Sequence, residues 1–229
     1  MKNKILIFTV LALLMAGFSS CDKEKTSAGV TDITYYPEID MAGNAVVYIP
    51  MGGTYDDPGA TAQINGEDVP VDVSSNLDAS TVGSYAIGYS ATNTDGFSKT
   101  VNRQVVVYDP NMISDDLSGS YTANVDRGGE SYAGNSVTLT DIGVAGVTGV
   151  YEISDWIAGF YAVGRDYGAN YAFTGLIQIN GDNEVLELSM SNPWGDPFNS
   201  VVGSYDAGTN TISYTASWLS YEFVVDMTK

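Results

Sequence analysis

Ile212-Ser-Tyr-Thr-Ala-Ser-Trp218, followed after Leu219-Ser220 by Tyr221-Glu-Phe-Val-Val-Asp-Met227, decides the fold class. Ile212, Tyr214, Ala216 and Trp218 share one face at period two, and Tyr221, Phe223, Val225 and Met227 share another. A strand turns successive side chains to opposite faces, so this alternation describes half-buried strands. Upstream, Val137-Thr-Leu139 alternates, as do Leu186, Leu188 and Met190 against Glu187 and Ser189. Asn180-Gly-Asp-Asn183 reads as a hairpin turn between two such runs. About eight strands, mostly sequential, predict an up-and-down antiparallel β-barrel or a related sandwich over residues 117–229. No pattern there supports a helix longer than about two turns.

A second series of strands precedes it. Ala45-Val-Val-Tyr-Ile49 reads as a strand, and Val69-Pro-Val-Asp-Val73 as an edge strand, because proline donates no hydrogen bond. Asp57-Pro58-Gly59 is a turn, with Tyr85, Ile87 and Tyr89 forming an apolar face beyond it. Asn93-Thr-Asp-Gly96 turns the chain into residues 99–108, whose Val105-Val-Val107 run suits a buried final strand. Six or seven strands, by an approximate count, make a small sandwich over residues 31–109. Residues 110–116, with Pro110 and the acidic pair Asp115-Asp116, read as a linker with little to bury. The chain is therefore expected to be all-β, in two separately folding domains.

Two resemblances follow from these motifs. Tyr55-Asp-Asp-Pro-Gly-Ala60, Gly83-Ser-Tyr-Ala-Ile-Gly-Tyr89, Asp95-Gly96 and Arg103-Gln-Val-Val-Val107 resemble the bacterial immunoglobulin-like domains of surface proteins. Relatives often carry Gly-Asn where Gly96 is followed here by Phe97. That resemblance implies a spacer or presentation module. The opening Gly119-Ser-Tyr121, Tyr151-Glu-Ile-Ser-Asp-Trp156, Gly164-Arg-Asp-Tyr-Gly168, Trp194 and Gly203-Ser-Tyr-Asp206 resemble a lipocalin-like C-terminal domain of unknown function. Such domains stand behind Ig-like modules in Bacteroides-type lipoproteins associated with Sus-like glycan-uptake systems. The resemblance implies a glycan ligand and outer-membrane uptake proteins as partners, and no known activity.

The N-terminus supplies the address. Lys2 and Lys4 precede an apolar run over residues 5–18, which is too short to span a bilayer core. A basic start, a short apolar stretch and small residues make a signal peptide, residues 1–20. Ser19-Ser20 then leads to Cys21, the sole cysteine, as in a lipoprotein signal whose cysteine is acylated. Residues 21–30 form a polar tether. Asp22-Lys-Glu-Lys25 resembles the signal that sends such lipoproteins to the outer face of the outer membrane, with lysines interrupting the acids. The membrane is expected to be contacted through the lipid alone. Without Lys2 and Lys4 the mature chain carries seven basic and 28 acidic residues, a formal charge of −21. A body this acidic repels phosphate backbones, so nucleic acid is excluded as a partner.

The same inventory limits chemistry. There is no histidine and no thiol beyond Cys21, so a Ser-His-Asp or Cys-His arrangement cannot be built. Zinc sites on His or Cys are excluded, and no P-loop or EF-hand spacing occurs. Paired carboxylates would suffice for glycoside hydrolysis. Among 28 acids, however, some pair falls at suitable separation by chance, and the chain reads as a non-enzyme. Asp56-Asp57 and Asp115-Asp116 offer oxygens for calcium but only part of a shell, and read as solvated loops. No cofactor or metal is expected. The suggestive stretch is residues 154–171, with Asp155, Trp156, Tyr161, Arg165, Asp166, Tyr167 and Tyr171 among glycines. Sugar rings are apolar on their faces and polar at their edges, so aromatic platforms beside charged groups suit them. The competing reading makes Trp156 and the tyrosines a barrel plug with Arg165 paired to an acid. Trp194, Phe198 and Trp218 form a second aromatic group open to the same two readings. The leading expectation is a lipid-anchored accessory glycan-binding protein; the alternative is a structural or adhesive protein whose C-terminal domain binds another protein. A sugar platform would show two or three coplanar exposed rings, and a protein-binding face a broader apolar patch.

Overall fold

The computed structural model describes residues 33–229; the expected signal peptide, Cys21 and the tether lie outside the described residues. Fifteen strands and two single helical turns make up the described chain. The first seven are β1 (Glu38–Met41), β2 (Val46–Pro50), β3 (Ala60–Ile64), β4 (Glu67–Val69), β5 (Asp72–Ser75), β6 (Gly83–Thr92) and β7 (Ser98–Tyr108). They form two sheets, β1-β3-β4 and β2-β7-β6-β5, with β2 parallel to β7. Val69–Val73 is not the single edge strand the sequence predicts. The missing amide of Pro70 breaks the ladder, and the chain leaves β4 for β5 in the other sheet.

The Tyr55–Ala60 and Arg103 motifs meet around one buried guanidinium. Arg103 donates to the Tyr89 hydroxyl at 3.1 Å and to the Asn44 carbonyl at 2.7 Å, and lies 3.2 Å from the Asp57 carboxylate. Tyr89 in turn donates to Asp57 at 2.6 Å. One arginine thus ties the β1–β2 turn and the Asp57-Pro58-Gly59 turn to the sandwich interior. The buried charge is tolerated because the guanidinium is paired with Asp57 and hydrogen-bonded to Tyr89 and to backbone carbonyls.

The remaining strands are β8 (Gly119–Arg127), β9 (Glu130–Asp141), β10 (Val150–Ile153), β11 (Thr174–Ile179), β12 (Val185–Ser191), β13 (Ser200–Asp206), β14 (Thr211–Trp218) and β15 (Tyr221–Thr228). They form one antiparallel meander in the order β12-β11-β10-β9-β8-β15-β14-β13. β12 and β13 meet through the Glu184–Ser204 bridge and a 2.8 Å bond from Tyr205 N to Asn183 O, so the barrel is nearly closed. The protein is all-β, an Ig-like sandwich followed by this barrel. Ile212, Tyr214, Ala216, Trp218, Phe223, Val225 and Met227 point inward as their alternation requires. Tyr221 and the β12 run depart. Tyr221 sits at the barrel end, half exposed. Leu188 lies at a β-bulge, between the pairs Leu176–Ser189 and Ile177–Glu187, so Leu188 packs with Leu176 outside the barrel while Met190 packs against its core.

The expected linker has much to bury. Ile113 and Leu117 belong to the barrel core. The buried Gln178 accepts from Asp109 N and donates to Asp109 O, both at 2.8 Å. Asn180 donates to the Asp109 carboxylate at 3.0 Å, and Gly181 N to Asn111 O at 2.7 Å. Val106 and Tyr108 pack with Val147, Val150, Leu176 and Leu188 in a single apolar cluster. This explains why the three valines of β7 run without a polar break. Val105 and Val107 face the sandwich core while Val106 faces the barrel wall, so the strand is buried on both sides.

Candidate ligand-binding site

In an antiparallel meander, alternate connections fall at the same end. The β8–β9, β10–β11, β12–β13 and β14–β15 connections therefore share one mouth of the barrel. The β10–β11 connection, residues 154–173, fills it. Directly after β10, Asp155, Trp156, Ile157 and Ala158 turn into the interior and are buried. Asp155 Oδ1 accepts from Ile157 N at 3.0 Å and Phe173 N at 3.3 Å, and Trp156 N donates to Phe173 O at 2.7 Å, which ties the two ends of the segment together. Gly159, at φ 73°, redirects the chain into a π-helical turn, Phe160–Gly164. A Cβ at Gly164 would overlap the Tyr132 ring, so only glycine lets the turn seat on β9.

The expected site residues separate into plug and rim. Trp156 is 0% exposed; its Nε1 donates to Ser189 O at 3.3 Å, and its ring meets Phe198 and Tyr214 edge-on. No ligand reaches it, so it cannot be a stacking platform. Asp155 is likewise interior, with Oδ2 lacking any partner; burial pushes its carboxyl up to about 6, against the hydrogen bonds from Ile157, Phe173 and Gly159. Tyr161 is nearly buried and accepts at its hydroxyl from Arg127 at 2.7 Å. Burial raises its phenol while Arg127 opposes the rise. Arg165, Asp166, Tyr167 and Tyr171 lie at the rim. Arg165 is paired with Glu130; Asp166 is exposed at φ 55°; Tyr167 is 50% exposed; Tyr171 is half-buried.

The two aromatic groups of the sequence are one cluster. Tyr161 lies 5.0 Å from Trp194 and 5.9 Å from Tyr167, Phe173 lies 5.2 Å from Trp218, and Trp218 lies 5.4 Å from Trp194. Tyr171 bridges Tyr167 and Trp194 at 5.3 and 5.4 Å. The rings that reach solvent are Tyr167, Trp194 (43%) and Tyr221 (44%). Tyr167 is within 17° of the Tyr161 plane while Trp194 is inclined to it by 57°, so Tyr167 and Trp194 cannot be coplanar. They form a cradle rather than a flat platform.

Sequence reading passes over Arg127, Glu130 and Tyr221. Arg127 lies over Phe160 at 4.4 Å and Tyr221 at 4.7 Å. Glu130 accepts from Tyr132 at 2.8 Å, from Arg127 at 3.3 Å and from Arg165. These donors hold its carboxyl below the usual range, the Tyr132 bond first. The available signal was topological: hairpin tips of a meander converge at alternate ends, whatever their distance in sequence. Of the acidic pairs, Asp57 serves Arg103 and Tyr89, and Asp116 caps Ser118 N at 2.9 Å. Among the described residues no three acidic, histidine or cysteine side chains gather to hold a metal.

Two known families match parts of the chain. Residues 109–229 match the family described as “-like, C-terminal domain”, and the chain belongs to that family. Residues 39–107 match the model “Bacterial surface protein, Ig-like domain”. Among solved structures the chain is similar to the lipoprotein BT2262 from Bacteroides thetaiotaomicron, at 26% identity and a TM-score of 0.45, over 85% of this chain and 100% of that one. It is also similar to the M60 catalytic domain with CBM51-1 and CBM51-2 of Clostridium perfringens ZmpB, at 12% identity and a TM-score of 0.29, over 85% of this chain and 21% of that one. No curated protein matches the chain.

Proposed function

We propose that this is a lipid-anchored surface protein, tethered through Cys21 to the outer membrane and facing the exterior, whose barrel mouth binds glycan without catalysis. It would serve as an accessory to a polysaccharide-uptake system. The surface assignment draws on the Ig-like module of bacterial surface proteins. The observation that carries the glycan reading is the half-exposed triad Tyr167, Trp194 and Tyr221, backed by buried rings and flanked by Arg127, Glu130 and Arg165. The rings are not the coplanar platform expected from the sequence, but each inclined ring still offers one sugar a stacking face, with charged groups at its edge for hydrogen bonds. Binding residues belong on loops held by a rigid scaffold, as these are. A glycan-array screen of the soluble mature chain tests it. Binding to a defined set of saccharides supports the reading, and an empty array refutes it.

One observation favours the alternative, a protein partner. Leu219, Tyr221, Val202 and Val224 are exposed on β13–β15, with Val202 and Val224 in one cross-strand row through Thr215. The polar row Ser200–Ser217–Glu222 lies between Leu219 and Tyr221 at the mouth and Val202 and Val224 on the wall, so these are two exposed apolar spots that a partner protein would span together.

A further inference from the structure

The mouth has engaged its central acceptor and kept donors in reserve. Glu130 receives the Tyr132 hydroxyl, Arg127 and Arg165 on one carboxylate, which leaves it little capacity for ligand hydroxyls. Arg165 gives one nitrogen to Glu130 and is 36% exposed, two residues from the half-exposed Tyr167. Among the described residues its fork of five N–H donors makes no further hydrogen bond, and its guanidinium lies 5.7 Å from the Phe160 ring. Arg127 also bonds the Tyr161 hydroxyl and lies over the Phe160 and Tyr221 rings, so its charge is held in place.

Charge points the same way. The described residues hold five basic side chains: Lys99, Arg103, Arg127, Arg165 and Lys229. Arg103 is buried in the sandwich, and Lys229 Nζ donates to Ser118 O. Two of the remaining three meet at the mouth around a single carboxylate, so the trio carries a net positive charge in a strongly acidic chain. Other acids stand nearby. Asp126 is engaged with Ser131 and Gly129, while Asp166 and Glu222 are exposed. A long polyanion would run against them, but a single carboxylate set on the arginines would not.

We propose that the mouth recognises a glycan end-on by a terminal sugar bearing one carboxylate, a uronic or nonulosonic acid. Arg165 takes the carboxylate, Arg127 reinforces the field from beneath Tyr221, and Tyr167 or Trp194 takes the ring face. Planar guanidinium forks match carboxylates in a way that neutral hydroxyls cannot exploit. The inference rests on the glycan reading above and narrows its substrate class.

Calorimetric titration of the mature chain with matched pairs tests it: lactose against sialyllactose, and cellobiose against its glucuronate-terminated counterpart. The acidic member of at least one pair should bind at least about tenfold tighter. Arg165→Gln should abolish that preference, lowering the acidic sugar's affinity to that of its neutral counterpart in the same variant, with the melting temperature read alongside as the control for folding. Arg165→Lys, which keeps the charge and loses the fork, should retain part of it. Neutral sugars binding as tightly as acidic ones, or a preference that survives Arg165→Gln, would overturn the carboxylate assignment and leave the glycan reading standing. No binding by any of these four sugars would overturn the carboxylate assignment, and the glycan reading falls with it only if the array is empty as well.

Discussion

Asp155 uses one carboxylate oxygen to close a loop and buries the other without a partner. That asymmetry makes it a pH-sensitive residue. Its folded carboxyl, at about 6, lies above the ordinary 3.8, so between those values the folded protein holds a proton that the unfolded chain has released. The stabilisation is complete below about pH 4 and is lost as pH rises through about 6; by pH 7 the cost is on the order of 3 kcal/mol. Asn at this position keeps an acceptor for Ile157 and Phe173 and cannot ionise. Denaturant unfolding of the parent and Asp155→Asn near pH 4 and at pH 7 should show the parent losing more stability than the variant over that interval. Equal losses would mean that the buried oxygen is not ionising alone. Sequence reading singled out Asp155 as a ligand contact because an acid beside tryptophan in a glycine-rich stretch has the right chemistry. What it could not see is that Phe173, eighteen residues on, closes over the same oxygen.

At the scale of the element, residues 154–173 are part plug and part rim, and the division falls near Tyr161. Trp156 fills the interior between Phe198 and Tyr214, and the Tyr214 hydroxyl donates to its carbonyl at 2.7 Å. Truncating it should cost about 3–5 kcal/mol, the usual price of removing a buried aromatic ring. Thermal unfolding of Trp156→Ala reads this directly, and a melting temperature equal to the parent's would show that the ring is not core. The strands themselves were legible because their periodicity is local: apart from Tyr221 at the barrel end, β14 and β15 bury the residues their alternation assigns. Local periodicity fails where an element ends on non-local geometry. Pro70 led to an edge-strand reading of residues 69–73, but the change of sheet that occurs there depends on which sheets are within reach. The bulge at Leu188 inserts a residue for which the sequence carries no turn signal.

Across residues 36–229, the sandwich and barrel are joined by a packed seam. An acidic stretch with proline reads as an exposed linker, yet Gln178 lies sixty-nine residues beyond the Asp109 peptide that it clamps. Only the folded meander brings them together. With Val106 and Tyr108 seated on the barrel wall, residues 109–116 should resist protease in the native protein. Limited proteolysis followed by mass spectrometry should therefore find no early cut there. Rapid cleavage within that stretch would show that the seam opens. A seam of this kind would hold the aromatic mouth in a fixed orientation on its stalk, which suits a presented binding site.

On the proposed reading, the exposed rings of that mouth, rather than its plug, meet the ligand. It is tested most directly by measuring melting and saccharide affinity together for Trp194→Ala, using a saccharide that the parent binds on a glycan array. Trp194 is half exposed at the rim, so its loss should weaken binding by about 2 kcal/mol or more while changing the melting temperature little. Unchanged affinity in Trp194→Ala, or a parent chain that binds no saccharide at all, would contradict the account.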